Sequence, residues 1–398
     1  MMMDKDMKKN ILVLQAFYFF AFFANGSLIP LLSVYLSKSI GLTGFQIGTI
    51  MSIGPVVTIF FQPVWGILSD KTNSPTAILK LCTFFAGICG LGYLFFDRFI
   101  WIVAIAILLA VFQSAIVPIS DSIAIKYASQ NHYQYGNIRL FGALGFGVAV
   151  FIMGRISDVE PTSIFIAFCA ALIICAVATG KMPKEKGNTI KNPLKGMKEL
   201  IVYKKYMFFL AVTFLIFSPN LANNTFFGLF VEDSGATYAG IGIAFLIAVL
   251  SEAPFMKIAG AWIRKFGLLE ITLFAGVISL IRWMFYFTEP GLTFIYATAF
   301  LQGFGVGLFI PAGIQYIRKI APVSMMATAI TFYSAIGNGL GNWFNTFIGG
   351  IIFEHYHITD VYLFFSVLTL IGIVLNLYLI KEEKQEAELK RQNLIEVG

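Results

Sequence analysis

Charge is scarce in this chain. Of 398 residues, 12% are Asp, Glu, Lys or Arg and three are His, too few to cover a soluble domain with polar surface. Cysteine is scarce as well. Cys82, Cys89, Cys169 and Cys175 sit inside apolar runs without paired ligand spacing, which excludes a disulfide framework and a thiolate metal site and leaves them as small core hydrophobes. No nucleotide-binding loop, metal-ligand cluster or Ser/His/Asp arrangement occurs, and no soluble segment is long enough to relay a signal, so a membrane enzyme or sensor is excluded and no cofactor is expected. The pair His355 and His357 has no acidic or cysteine cluster near it in sequence and reads as solvated loop. The first apolar run is too long for a signal peptide and lacks a small-residue cleavage site, which predicts a retained first helix.

What the chain has in abundance is hydrophobicity: 58% of the residues are apolar or aromatic and the mean hydropathy is +0.81. Twelve apolar segments, centred near Phe22, Val56, Gly87, Ala110, Gly147, Ala170, Ile216, Leu250, Ile278, Phe304, Trp343 and Leu370, are each about 20 residues or longer, enough to cross the hydrocarbon core as helices. The predicted class is an all-α membrane protein with both termini on one side. Placing the termini in the cytoplasm puts nearly all Lys and Arg inside and only Lys38, Arg98 and Arg155 outside, as the orientation rule requires. The net charge of +7 therefore reflects topology, and no nucleic acid partner is implied.

The stretch 181–205 divides the chain near its midpoint. It holds eight lysines against two glutamates, with Pro183 and Pro193 opposing a continuous helix, and reads as a basic cytoplasmic linker between two six-helix halves, 1–180 and 206–380. A charged tail, 381–398, reads as a solvated cytoplasmic helix or disorder. A repeat supports the halves: Gly66-Ile-Leu-Ser-Asp70-Lys71 after the second segment is echoed by Gly260-Ala-Trp-Ile-Arg264-Lys265 after the eighth.

Charges at membrane depth are costly unless paired or wet, so they mark sites. Asp121 and Arg139 stand at adjoining ends of the fourth and fifth segments, joined by a polar connection short enough to make those helices antiparallel neighbours able to face the two charges together. Glu252 and Arg282 stand near mid-span of the eighth and ninth. Asn220, Asn223 and Asn224 in the seventh form an amide cluster suited to hydroxyl-rich ligands or to bonds between helices.

Pro118-Ile-Ser-Asp121, followed by Tyr135-Gly136-Asn-Ile-Arg139-Leu-Phe-Gly142-Ala-Leu-Gly145-Phe146, resembles the fourth-to-fifth helix region of the major facilitator superfamily, in the group of lactose, nucleoside–proton and phenylpropionate permeases. The resemblance implies two six-helix halves around a midplane site. It implies substrate-binding roles for Asp121, Arg139 and the aromatic Phe146, which stands where lactose permease has a stacking tryptophan. The asparagines join them as candidate substrate ligands. By the same resemblance Gly66, Asp70 and Lys71, with the echo Gly260, Arg264 and Lys265, form the gating motif, and Glu252 with Arg282 belongs to a proton-coupling network. In the tenth helix Gln302 and Gly305 replace the histidine and glutamate of lactose permease. The expectation is a monomeric secondary transporter of a bacterial plasma membrane that moves a small polar solute (sugar, nucleoside or small aromatic acid) by alternating access. Proton symport is its expected energy source and Glu252 the candidate proton carrier. An efflux antiporter or an uncoupled uniporter is the alternative; drug exporters of this superfamily typically carry a proline in the fifth helix, and Gly142-Ala-Leu-Gly145-Phe-Gly147 has none.

Overall fold

The computed structural model describes residues 5–183, 200–322 and 325–396; most of the expected linker, 184–199, lies outside them. Twelve helical segments follow one another. They are α1 Lys5–Lys38, α2 Gly44–Thr72, α3 Pro75–Leu94, α4 Phe99–Gln130, α5 Tyr135–Ser157, α6 Ser163–Lys181, α7 Lys204–Asp233, α8 Tyr238–Phe266, α9 Leu268–Phe287 and α10 Leu292–Ile320. α11 comprises Met326–Ser334, Ala335–Gly341 and Asn342–His355, and α12 is Ile358–Glu396. Eleven of these are long and apolar enough to cross a membrane by composition alone. α11 is the exception, since Asn338, Asn342, Asn345 and five glycines dilute its hydropathy.

Turn chemistry fixes the corners. Thr43 caps α2, its hydroxyl accepting from the Gln46 amide while the Gln46 side chain accepts from the Thr43 amide, and this box satisfies two otherwise orphaned donors. Asn73 closes the same helix in the left-handed region at φ 48°, which asparagine tolerates. Within the bundle, small residues set the spacing. A Cβ at Gly145 in α5 would lie 2.0 Å from the Phe19 carbonyl oxygen of α1, so α1 and α5 touch backbone to backbone.

The two halves meet mainly at one face, the one opposite the termini. There α2 crosses α11 with a Cβ at Gly48 falling 2.6 Å from the Gly350 Cα, α5 crosses α8 with one at Gly242 falling 2.2 Å from the Val150 carbonyl oxygen, and α7 meets α1 at Gly228 and Pro30. Towards the terminal face no such glycine contact joins the halves among the described residues. Phe60, Val64 and Ile67 of α2 are half or more exposed, and so are Leu250 of α8 and Phe266 at its end. The central space therefore opens towards the termini and is sealed at the far face.

Three helices of the second half carry π turns: Thr213–Phe217 in α7, Gly303–Leu308 in α10 and Ala335–Gly341 in α11. Such turns recur at functional sites because they re-aim side chains and free carbonyls. The charged tail takes the helical alternative of the two expected for it. It continues α12 as helix to Glu396, and Glu383 and Glu386 pair with Lys319 of α10 (2.8 Å) and Lys205 of α7 (2.5 Å).

Backbone contact at Gly145 generates a prediction. Gly145→Val abolishes the monodisperse peak in size-exclusion chromatography, whereas Gly66→Ala, where a Cβ meets nothing within 4 Å, leaves the melting temperature unchanged or slightly raised.

Candidate functional site

The first polar centre lies in the first half, between α1, α4 and α5. Asp121 Oδ1 accepts from the Tyr18 hydroxyl (2.5 Å), from the Tyr135 hydroxyl (2.8 Å) and from Arg139 Nη1 (3.3 Å). Three donors on one oxygen leave Oδ2 without a partner among the described residues, and the Asp121 and Arg139 side chains remain 28% and 38% exposed, so both keep a face for an incoming group. The Arg139 guanidinium sits 4.4 Å from the Phe22 ring centroid and 5.6 Å from that of Tyr18. Gly142 makes room for Phe22, since a Cβ there would lie 2.9 Å from the ring. Phe22 thus supplies the aromatic surface beside the arginine. Phe146, two turns further along α5, is half-buried and packs with its carbonyl against Gly26. Tyr18, Tyr135 and Phe22 were not singled out from sequence, although Tyr135 opens the quoted motif.

The second centre lies in the other half, where α8, α9 and α10 meet. Arg282 is 1% exposed, among the costliest placements a guanidinium can have. Its Nε donates to the Tyr286 hydroxyl (3.1 Å), both Nη atoms donate to Gln302 Oε1 (3.3 and 3.4 Å), and the rings of Phe227, Trp283 and Tyr286 stand 5.0–5.3 Å from its carbon. Gln302 Nε2 in turn donates to Glu252 Oε1 (3.0 Å). Glu252 and Arg282 are therefore joined through an amide. Because guanidinium only donates and carboxylate only accepts, the orientation of that amide is dictated. Gly305, a turn further along, is filled from outside: a Cβ there would lie 2.7 Å from Ser279 Oγ and 2.8 Å from Asn220 Oδ1. Those two side chains bond each other across α7 and α9 (3.1 Å).

Asn220 thus points between helices, and so does Asn223, which accepts from the Tyr362 hydroxyl (3.2 Å). Asn224 alone of the three lines a cavity of about 240 Å³ between the halves. Around that cavity stand Leu28 and Leu32 of α1, Met51 and Gly54 of α2, Gln113 of α4 and Asn342 of α11. Gln113 Nε2 donates to Asn25 Oδ1 (2.7 Å), and Asn342 Oδ1 accepts from Thr346. Gln113 Oε1, Asn342 Nδ2 and the whole Asn224 amide keep their hydrogen-bonding capacity, with no partner among the described residues.

The residues expected to form a gating motif make few contacts in this conformation. Asp70 is half-buried without a side-chain partner among the described residues, Lys71 is exposed, and a Cβ at Gly66 meets nothing. In the echo, a Cβ at Gly260 meets only Arg264 of its own helix, while Lys265 lies against Phe266. At the far face, His357 corrects the expectation of a histidine without an acidic cluster nearby: Asp233 stands 3.4 Å and Glu289 3.6 Å from its ring nitrogens. Both acids are distant in sequence, which hid them. Among the described residues no group of three or more His, Cys, Asp or Glu is arranged to hold a metal.

Two bundles around a central cavity, with a charge pair in one and a Glu–Gln–Arg chain in the other, have the plan of a solute carrier, and the family model confirms it, matching residues 11–364. The chain belongs to the MFS_1 like family. It is 50% identical over 390 residues to the uncharacterised transporter YwbF of Bacillus subtilis (strain 168), covering 98% of each chain. It is 43% identical over 383 residues to the maltose permease of Geobacillus stearothermophilus, covering 95% of this chain and 96% of that one. The crystal structure of the nucleoside transporter NupG superposes with a TM-score of 0.84 over 93% of this chain and 99% of that one, at 17% identity, a likeness of fold. The chain is a multi-pass membrane transporter.

The expected gating role of Asp70 generates a prediction. If Asp70 makes its contact in another conformation, Asp70→Asn slows transport several-fold yet leaves ligand affinity unchanged; uptake rates beside equilibrium binding on purified protein check both.

Proposed function

We propose that this chain takes up a neutral, hydroxyl-rich solute, a sugar, by alternating access with proton symport. The observation that carries the reading is the cavity between the halves. Its polar lining is uncharged, the hydroxyl residues Tyr93 and Thr225 standing beside free donors and acceptors on Gln113, Asn224 and Asn342. Amides that both give and accept suit hydroxyl groups, which do the same, and a site built to bond hydroxyls discriminates strongly against ligands lacking them. The 43% identity to a maltose permease supports the sugar reading. On this proposal Asp121 Oδ2 and Arg139 bind further hydroxyls at the open end of the same space, with Phe22 or Phe146 against a ring face.

Glu252 is the proposed proton carrier. It is half-buried at mid-span of α8 and is the acid that the Gln302 bridge connects to Arg282. A carboxyl in low dielectric prefers its neutral form, and approach of a guanidinium reverses that preference, so rearrangement of α8 against α9 and α10 would load and unload a proton. The excess of Lys and Arg at the terminal face supports termini in the cytoplasm of a bacterial cell, and on that reading the conformation described is inward-facing. The working unit on this reading is a monomer, since the cavity lies within one chain.

Thermal stability of the purified protein titrated with maltose, uridine and 3-phenylpropionate tests the substrate class. Maltose at a hundredfold excess over its Kd should stabilise by about 2.7 kcal/mol, and Asn224→Ala or Gln113→Ala should each weaken binding roughly threefold to tenfold. Stabilisation by uridine or phenylpropionate alone would overturn the sugar reading. Coupling is tested separately in vesicles with an imposed pH gradient. Glu252→Gln should lose accumulation against a concentration gradient and keep exchange of labelled solute, because exchange moves no net proton. Accumulation by this variant would assign the proton elsewhere, and a parent protein that never accumulates would be a uniporter.

A further inference from the structure

The seal at the far face contains two polar contacts that mirror each other. At the start of α8, Asp158, which follows α5 in the first half, accepts from the Thr237 hydroxyl (3.0 Å) and from the Ala239 amide (3.3 and 3.4 Å to its two oxygens). At the start of α2, Glu354, near the end of α11 in the second half, accepts from the Phe45 amide (3.2 Å). Thr237 and Thr43 are the N-cap residues of α8 and α2. The offset that relates Gly66 to Gly260 also relates Thr43 to Thr237, and it relates Asp158 to Glu354 to within two residues. Each half therefore lends an acid to the first turn of a helix in the other half, at equivalent places in the repeat.

We infer that Asp158 and Glu354 are a reciprocal pair of positioning residues that hold this face of the transporter closed and must release for it to open. The first turn of a helix exposes amides without intrahelical partners and carries the positive end of the helix dipole. A carboxylate satisfies both needs, but here it reaches them only while the halves are together. When α2 leaves α11 and α8 leaves α5, the amides and the acids return to water. Both acids are exposed, so water already competes and each contact is weak enough to break in every cycle. The glycine contacts beneath (Gly48 with Gly350, Gly242 with Val150) supply close packing without direction. The acids add register, because a carboxylate bonds a helix start only in one alignment. The Lys38–Glu232 pair between the ends of α1 and α7, at 2.8 Å, ties the third crossing of the same face.

The test is the rate at which a membrane-impermeant maleimide, added to intact cells, labels Met51→Cys in a background without native cysteines. Met51 lines the cavity just beneath the seal, so the rate follows the population open to the outside even when that population is small. Asp158→Ala and Glu354→Ala should each raise the rate roughly threefold to tenfold, and the double variant more than either. Asp158→Asn and Glu354→Gln, which keep an acceptor oxygen for the helix start, should stay near the parent rate, a rescue that a merely structural role for the negative charge would not give. Should an alanine variant fail to fold, Asp158→Lys or Glu354→Lys, which sets a cation against the positive helix end, takes its place with the same expected rise. Unchanged labelling in the double variant overturns the inference, and so do Asn and Gln variants as fast as alanine. The experiment uses no substrate and no proton gradient, so its failure would leave the sugar and symport readings untouched, and theirs would leave it standing.

Discussion

A guanidinium in the middle of a membrane protein has to be given acceptors, and the second half of this transporter is arranged around that need. Arg282 receives a tyrosine hydroxyl, an amide oxygen and three aromatic faces, and no carboxylate lies within ion-pair distance among the described residues. The choice of Gln302 as the bridge has a chemical consequence. A histidine there would itself take up or release a proton, whereas an amide holds the same hydrogen bonds in every protonation state of its neighbours. The titratable part of the triad is thereby confined to Glu252, and Asn220 with Ser279 fills the space that a larger residue at position 305 would occupy. The cost of the buried cation keeps the geometry fixed: removing Gln302 would leave Arg282 with donors facing nothing.

The first half solves the same problem in a wetter setting. Asp121 gathers two tyrosines and Arg139 on a single oxygen, so the carboxylate is oriented without being saturated. An acid placed in this way is rigid enough to define a binding geometry and still has a lone-pair face for a ligand, which a symmetric two-point ion pair would not offer.

The pairing of Asp121 with Arg139 was legible because both charges flank one short connection, so chain geometry alone brings them together. Tyr18 was not, since a tyrosine in an apolar run has the signature of core or interface, and its partner is 103 residues away. Gln302 was read only as a departure from a familiar pattern. Its bridging position depends on α8, α9 and α10 meeting at one height, which hydropathy does not encode. The three asparagines at 220, 223 and 224 share one composition and separate into different surroundings because successive residues on a helix point about 100° apart. Asp158, Glu354 and His357 looked like ordinary loop residues for a similar reason: each finds its partners across a gap of tens to hundreds of residues. The twelve segments and the two halves were readable; the cavity residues Gln113 and Asn342 and the contacts between distant helices were hidden.

Confinement of titration to one carboxyl also sets the thermodynamic reach of the proposed machine. Under the proposed coupling, Glu252 alone in the second half carries the proton, so one solute crosses with one proton. One pH unit is worth about 1.36 kcal/mol, and a strict one-to-one carrier can then concentrate a neutral sugar at most about tenfold for each unit of gradient, with the membrane potential adding its share at roughly 2.3 kcal/mol per 100 mV. Steeper accumulation would require a second titrating group, and the amide at 302 and the glycine at 305 are the two places where this chain has none.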